Sequence, residues 1–535
     1  MNIFDLHSHP GYKTIFRDYY SSWDNIPAKL NYLVGKIIKS QSSLTQIMGN
    51  NECNLLCISL YPPETEFVGN WLINFIGPNI TDGLDKARLE EMINKTFSYP
   101  KEVKKEIQNL NLPYTPPPDP KPIRILKDFK KEYDPNDFKT LYIFFSIEGG
   151  HAFYGSKQND HSDINQILAD FSAFIISGPA FFYITPCHLT PNIFMTHAYG
   201  NKLLNKGEFI PVSQGITPSG YKFLDTITGH GLLIDVKHMS LVSRRQFYQY
   251  KKYENKPIIC SHAGVTGISW HDKLNPKYTI ISIKKAKKFV KVRYIKPKGI
   301  LTNTFFNPCS INLYDEDIEK ILKSGGMIGI SMDLRIIGGE RNIVDALKLN
   351  EKEFLSMEEF EIWEGEPLED KRLKSEHFEK PYNPEFEEPN PEMWDEEDRR
   401  DEQEEKNTLT EEDVIELFSK STFGQELKHF LFAKRNDEHL RFFVNQIFHI
   451  LQVAHHINLR NNAWKHICIG SDFDGFIRSI DCCTNAGELE NFANLLIEKL
   501  PGLAKEKGYI LPEPADRLVK DLFFNNCYEL MKKHF

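Results

Sequence analysis

A chain of 535 residues with 41% hydrophobic and 12% aromatic side chains can bury a large core. Its formal net charge of −9, with no long Lys/Arg block, excludes a general nucleic-acid binder. The first twenty residues lack the pattern of a signal peptide, and the apolar stretch 171–201 is broken by Gly178-Pro179, Pro186 and Pro191, so no membrane span is expected. Nine cysteines, odd in number and without a C-x-x-C pair, suit a reducing, cytoplasmic setting.

The chain opens on Ile3-Phe4-Asp5-Leu6-His7-Ser8-His9-Pro10, a short apolar run ending in two histidines. In a strand His7 and His9 share one face, and two adjacent imidazoles can grip a metal ion; the other reading is an exposed loop pair. Similar runs recur, giving eight in all at 2–6, 55–60, 140–146, 181–185, 231–235, 257–261, 327–331 and 466–470. Their near-continuous Ile, Leu, Val and Phe content suits strands buried on both faces. The pattern between them predicts helices, among them 213–228 and an acid-led one over 315–323. Eight strand–helix units predict a single α/β (β/α)8 TIM barrel over 1–535, with its active site at the carboxyl ends of the strands.

Polar residues collect at those ends. The third run ends at Glu148, the fourth leads to His188, the fifth to His238, the sixth to His262, and the eighth to Asp472 and Asp474. Lone histidines at strand ends are usually structural, whereas this many metal- and proton-binding groups at one barrel mouth point to chemistry. Three large insertions interrupt the plan. Residues 62–139 form a connection containing Pro116-Pro117-Pro118. Residues 264–309 carry Lys284-Lys285-Ala286-Lys287-Lys288, read either as a patch over the mouth or as a solvated helix face. Residues 334–437 include an acidic run from Glu385 to Lys406, expected to be solvated or partly flexible, or else a partner-binding arm.

In order and spacing these residues resemble the membrane (renal) dipeptidase family of zinc metallopeptidases, a branch of the amidohydrolase-like barrels. The resemblance lies in Glu148-Gly149-Gly150 and in Gly215 to Gly220. It continues through Gly231, Asp235 and His238-Met239-Ser240, then Ser261-His262, Asn312 to Glu316 with Gly325-Gly326, and Gly470-Ser471-Asp472-Phe473-Asp474-Gly475. Asn525 or Asn526 matches the closing helix, and the insertions are not covered.

The resemblance implies two zinc ions (one is the alternative), with Glu148 bridging them, His7 and His9 completing one and His238 and His262 the other. It further implies that a metal-bridging hydroxide hydrolyses a dipeptide-like or related amide bond. Asp472 would handle the proton, His188 would stabilise the oxyanion, and the chain would form a homodimer. Asp235 is expected either to support the site from behind or to cap a helix, and Asp474 to be structural.

Two departures stand out. The family has H-x-D where this chain has His7-Ser8-His9, which makes the site one charge more positive. The family's arginine for the substrate carboxylate falls at Ile311, leaving Lys237 or the 264–309 insertion to supply a cation. Two competing readings remain. "DLHSHP" also looks like the opening of PHP-type metal-dependent phosphoesterases, and the barrel would also serve as a non-catalytic scaffold.

Overall fold

The computed structural model describes residues 1–12, 22–23, 39–49, 53–64, 99–110, 121–153, 163–200, 209–212, 215–273, 280–339, 350–364, 422–459 and 462–535. The acidic run 385–406 and Pro116–Pro118 lie outside the described residues.

The central sheet is parallel. Its strands are β1 (Leu55–Leu60), β2 (Ile123–Ile125), β3 (Leu141–Glu148), β4 (Phe181–Thr185), β5 (Leu233–Asp235) and β6 (Ile258–Ala263). An antiparallel hairpin follows, β7 (Ile280–Lys285) and β8 (Phe289–Ile295). The chain then returns to the barrel for β9 (Met327–Ile330), leaves it for β10 (Asn350–Ser356), and returns for β11 (Ile467–Ile469). Hydrogen-bonded neighbours run β1-β3-β4-β5-β6-β9-β11, with the short β2 beside the start of β3.

The amino-terminal segment closes the ring. Ser8 bridges in parallel to Ile58 on one side and to Phe473 on the other. The Leu6 N–H donates to Ile469 O at 3.0 Å, His9 N–H to Phe473 O at 2.9 Å, and Ser59 N–H to Ser8 O at 2.9 Å. With this segment as the eighth stave, the sheet is the expected (β/α)8 barrel. Here the structure extends the sequence reading: pairing continues to His9, so the two histidines sit within the stave rather than beyond it. Asp472 N–H donating to His7 O at 2.9 Å is what prolongs it.

Every residue of β1, β3, β4, β6 and β9 is buried, as strands covered on both faces must be. The covering helices start where local chemistry permits. Pro218–Gly229 begins with proline at its first turn, behind Thr217, whose hydroxyl accepts from Gly220 N–H at 3.0 Å. It therefore starts later than the predicted 213. Asp315–Lys323 matches its predicted span, and the Asp317 carboxylate accepts from Tyr314 N–H at 2.9 Å. At the far end Asn526 donates to Trp464 O at 2.7 Å and Ile467 O at 2.8 Å, tying the last helix to β11. Among the described residues no helix is long and apolar enough to cross a membrane.

The 284–288 patch is not a helix face. Lys284 and Lys285 end β7, and the chain turns into β8, which pairs with β10 in a three-stranded antiparallel sheet. That sheet is fastened to the barrel by the buried pair Lys273–Glu353 at 2.7 Å, and Phe354 packs on Tyr199 with ring centroids 5.0 Å apart. The nine cysteines are all free thiols.

Candidate metal centre

The 3–9 segment, β3, β5, β6 and β11 deliver His7, His9, Glu148, His238, His262 and Asp472 to one place. Nε2 of His7 lies 3.0 Å from Nε2 of His9. Glu148 presents Oε2 to His9 at 3.3 Å, and Oε1 to His238 at 3.0 Å, His7 at 3.5 Å and His262 at 3.6 Å. Asp472 closes the group, 3.4 Å from His9, 3.8 Å from His7 and 3.9 Å from His262. Three overlapping sets of potential ligands result: His7, His9 and Glu148; Glu148, His238 and His262; His7, His262 and Asp472.

The groups behind the imidazoles fix what they offer. Tyr183 gives its hydroxyl proton to Leu6 O at 3.1 Å, so at 2.8 Å it accepts from His7 Nδ1–H. His9 Nδ1–H donates to Ser59 O at 2.9 Å. Ser261 gives its proton to Asp235 at 2.6 Å and so accepts from His262 Nδ1–H at 2.9 Å. Each neutral ring therefore turns an Nε2 lone pair toward two carboxylates. Three ring acceptors facing two carboxylates call for a cation, and the fixing of Nδ1 by an outer partner is how metal-bound histidines are oriented; the fourth ring, His238, has no partner at Nδ1 among the described residues and sets Nε2 3.0 Å from Glu148. The donor set fits a divalent metal.

Charge within the cluster agrees. Burial opposes a charged His9 ring, but Asp472 and Glu148 outweigh it and raise its pKa to about 10. Without a metal, a proton on His9 does the cation's work. Burial pushes the Glu148 carboxyl up, yet His7, His188 and His238 together hold it well below the usual carboxylate range. Burial leaves Asp472 raised despite His9 and His7. Backbone strain collects here too: His238 (φ 65°) and Asp472 (φ 63°) are left-handed, a conformation costing such residues on the order of 1 kcal/mol.

Asp235 does not cap a helix through its carboxylate. It accepts from Thr185 Oγ1 and Ser261 Oγ, both at 2.6 Å, and from the N–H groups of Ser261 and Lys237, both at 3.0 Å, locking β4, β5 and β6 together behind His262. Asp5 plays the same part for β11, accepting from the Ser471 hydroxyl and, at 2.9 Å, from its N–H. Asp474 faces away from the cluster and takes Gln41 N–H at 2.9 Å and Ser42 N–H at 2.8 Å.

His188 approaches from the loop after β4, its Nε2 3.8 Å from Glu148 Oε1. Its Nδ1 donates at 2.9 Å to Glu64, a buried carboxylate that the sequence reading missed. Glu64 also accepts from Leu189 N–H at 3.2 Å and from the Tyr61 hydroxyl. Burial raises Glu64, but His188 and His151 overcome this and leave it strongly acidic. Burial disfavours a charged His188, yet Glu64 and Glu148 still raise its pKa. The polar tail of Tyr61-Pro62-Pro63-Glu64, just past β1, was the available signal.

A cavity of about 100 Å³ opens onto the cluster. His9, Glu148, His188, His238, His262 and Asp472 line it, with Tyr61 and Phe476 on its aromatic side and Ile311 and Ile336 on its aliphatic side. Lys237 points into it rather than outward, and Arg335 stands at its edge. Ile311 offers only apolar surface and its carbonyl. None of Lys284, Lys285, Lys287 and Lys288 is among the lining residues.

No family model matches the chain, and no curated relative matches it by sequence. Solved structures similar to it include dipeptidase AC, a metallopeptidase of family M19, at 10% identity and TM-score 0.46 over 100% of this chain and 98% of that one. A metallopeptidase from Rhodobacter sphaeroides, liganded with a phosphinate mimic of L-Ala-D-Ala, is 10% identical with TM-score 0.47, covering 100% and 99%. The probable dipeptidase PvdM from Pseudomonas aeruginosa is 14% identical with TM-score 0.45, covering 100% and 96%.

Proposed function

We propose that this protein is a metal-dependent hydrolase of a peptide or related amide bond, with zinc as its metal. One observation carries the reading: four imidazoles and two carboxylates converge at the mouth of a closed barrel, and three of the rings have Nδ1 held by an outer partner so that Nε2 faces the carboxylates. His7, His9 and Glu148 would hold one ion, and Glu148, His238 and His262 a second. When bound, the metal supplies a Lewis acid that polarises the scissile carbonyl and acidifies a water.

The chain's own groups supply the rest. Asp472, partly exposed and raised in pKa by burial, takes a proton from the attacking water and returns it to the leaving nitrogen as the C–N bond breaks. His188, held by Glu64, donates Nε2–H to the oxygen that becomes negative at the tetrahedral stage. Ile311 and Ile336 give the cavity an apolar stretch of wall beside these groups. Nine free thiols support the expectation of a reducing, cytoplasmic setting, and the homodimer implied by the resemblance is kept as a proposal.

The phosphoesterase reading drew on basic residues near the mouth. The lysines of the 284–288 turn lie off the cavity wall and lend it nothing, while Lys237 and Arg335 on the wall suit either reading. The test is turnover of a dipeptide panel against a panel of phosphate monoesters, before and after chelation. Chelator-sensitive dipeptide hydrolysis is expected; turnover of phosphate esters alone would reverse the assignment.

A further inference from the structure

The inserted sheet meets the cavity wall at two points, both through β10. Glu353 is fully buried, and one of its oxygens accepts from the Ser310 N–H at 2.9 Å and from the Ser310 hydroxyl. Its other oxygen takes the Lys273 ammonium at 2.7 Å, which also donates to the Tyr314 hydroxyl at 2.8 Å. From the barrel, Arg244 donates to Ser310 O at 2.7 Å and to Asn312 O at 3.2 Å. The backbone on either side of Ile311 is thus held by buried charges, and Ile311 itself forms part of the cavity wall. The second point is Phe354, packed on Tyr199, the residue before Gly200 on the same wall.

The two anchored segments close on one another. A Cβ built on Gly200 would lie 2.7 Å from Leu189 Cδ2 and 3.2 Å from Ile311 Cδ1. Glycine therefore leaves room between these aliphatic side chains, and with Ile336 they make an apolar recess beside the histidine cluster. An uncharged aliphatic group gains by leaving water for such a recess, whereas a charged one would give up its hydration without a partner there. Of the wall's two cations other than histidine, Arg335 closes on both oxygens of Asp333 at 3.0 and 2.6 Å, and Lys237 donates to Ile311 O at 3.3 Å. The whole cavity measures about 100 Å³, so the group it takes is small.

We propose that this recess is a subsite for a small, uncharged aliphatic group of the substrate, with Gly200 setting its depth and Glu353 of the inserted sheet as the positioning residue that holds Ile311 in place. The inference rests on the hydrolase reading and narrows it, because the bond cut then lies next to a residue of about alanine to valine size. The sheet touches no reacting group, yet through Ser310 it shapes what the cavity accepts.

The experiment measures kcat/KM of the metal-loaded full chain on the dipeptides X-Ala and Ala-X, with X glycine, alanine, valine, aspartate or lysine. In one series wild type should favour alanine or valine over the other three by about 10-fold or more, the usual worth of a carbon or two in an apolar pocket. Gly200→Ala should lower the valine-to-glycine ratio by about 10-fold, since the added methyl occupies the recess. Glu353→Gln should lower the same ratio by about 3- to 10-fold, the worth of a hydrogen bond, through a higher KM for valine and with metal content retained. Ser310→Ala, which removes one of the two hydrogen bonds to Glu353, answers in place of a Glu353→Gln that does not fold. Wild type indifferent to X, or favouring aspartate or lysine, overturns the subsite. Equal loss on every substrate in the Glu353 or Ser310 variant overturns the positioning role, since a merely structural contact would act that way. Metal-dependent turnover without preference among X leaves the hydrolase reading standing, whereas no turnover of any dipeptide sinks both.

Discussion

The strand-borne half of the site and its loop-borne half are held by different means. His7, His9, Glu148 and His262 project from staves of a closed sheet, and each ring is fixed by a group on a stave: Ser261 on the same stave as His262, Ser59 on the stave beside His9, and Tyr183 on β4 for His7. His188, Glu64 and Lys237 sit on the connections: His188 and Glu64 hold each other, Leu189 N–H and the Tyr61 hydroxyl steady Glu64, and Lys237 meets the Ile311 carbonyl. Sheet hydrogen bonding positions the first half as part of the barrel itself. The second half can vary with little effect on the barrel, so specificity belongs there.

That contrast is broken most severely at Glu148, which touches both halves. Glu148→Ala should remove bound metal and lower kcat/KM by more than about 1000-fold, because it deletes the anion shared by two of the three potential ligand sets. Metal analysis with steady-state kinetics checks both. On the loop side, Glu64→Gln should lower kcat by about 10- to 100-fold with KM little changed, since His188 loses the carboxylate that orients it and favours its donor form. Unchanged kcat would mean that Glu64 only fastens the loop.

Behind the strands, Asp235→Asn should weaken metal affinity by about 10-fold, the usual size of an outer-partner effect, and leave the cavity intact. Competition with a fluorescent chelator measures it. The smallest effect is on pH. His9 in the metal-free fold is raised from 6.5 to about 10, so its contribution to stability is fully present below 6.5 and fades as pH rises toward 10. A metal must displace that proton, so the rise in melting temperature on adding metal should grow between pH 6.5 and 9. A shift that shrinks over that range would count against His9 as a ligand.

The same contrast explains what the sequence revealed. The staves were legible because strands covered on both faces are continuous apolar runs, and because barrel topology forces their carboxyl ends together. His7, Glu148, His262 and Asp472 could therefore be placed from order alone. Glu64 could not, since it lies four residues beyond β1 and meets His188 only across the barrel mouth, 124 residues away in sequence. The direction of Lys237 was equally hidden, because one residue separates an inward from an outward side chain. Asp235 carried an ambiguous signal: an aspartate at a strand end suits a helix cap as well as a brace, and only its contacts with Thr185 and Ser261 decide. The hairpin of β7 and β8 was missed because its lysines interrupt the alternation that marks a strand.

The central claim is that His7, His9, His238 and His262 hold divalent metal with Glu148. Elemental analysis of the purified full chain, with wild type and Glu148→Ala compared side by side, tests it most directly. The account predicts close to two transition-metal ions per chain in wild type and their loss in the variant. A wild-type protein that stays metal-free after incubation with zinc, or a variant that retains the same metal content, would contradict it.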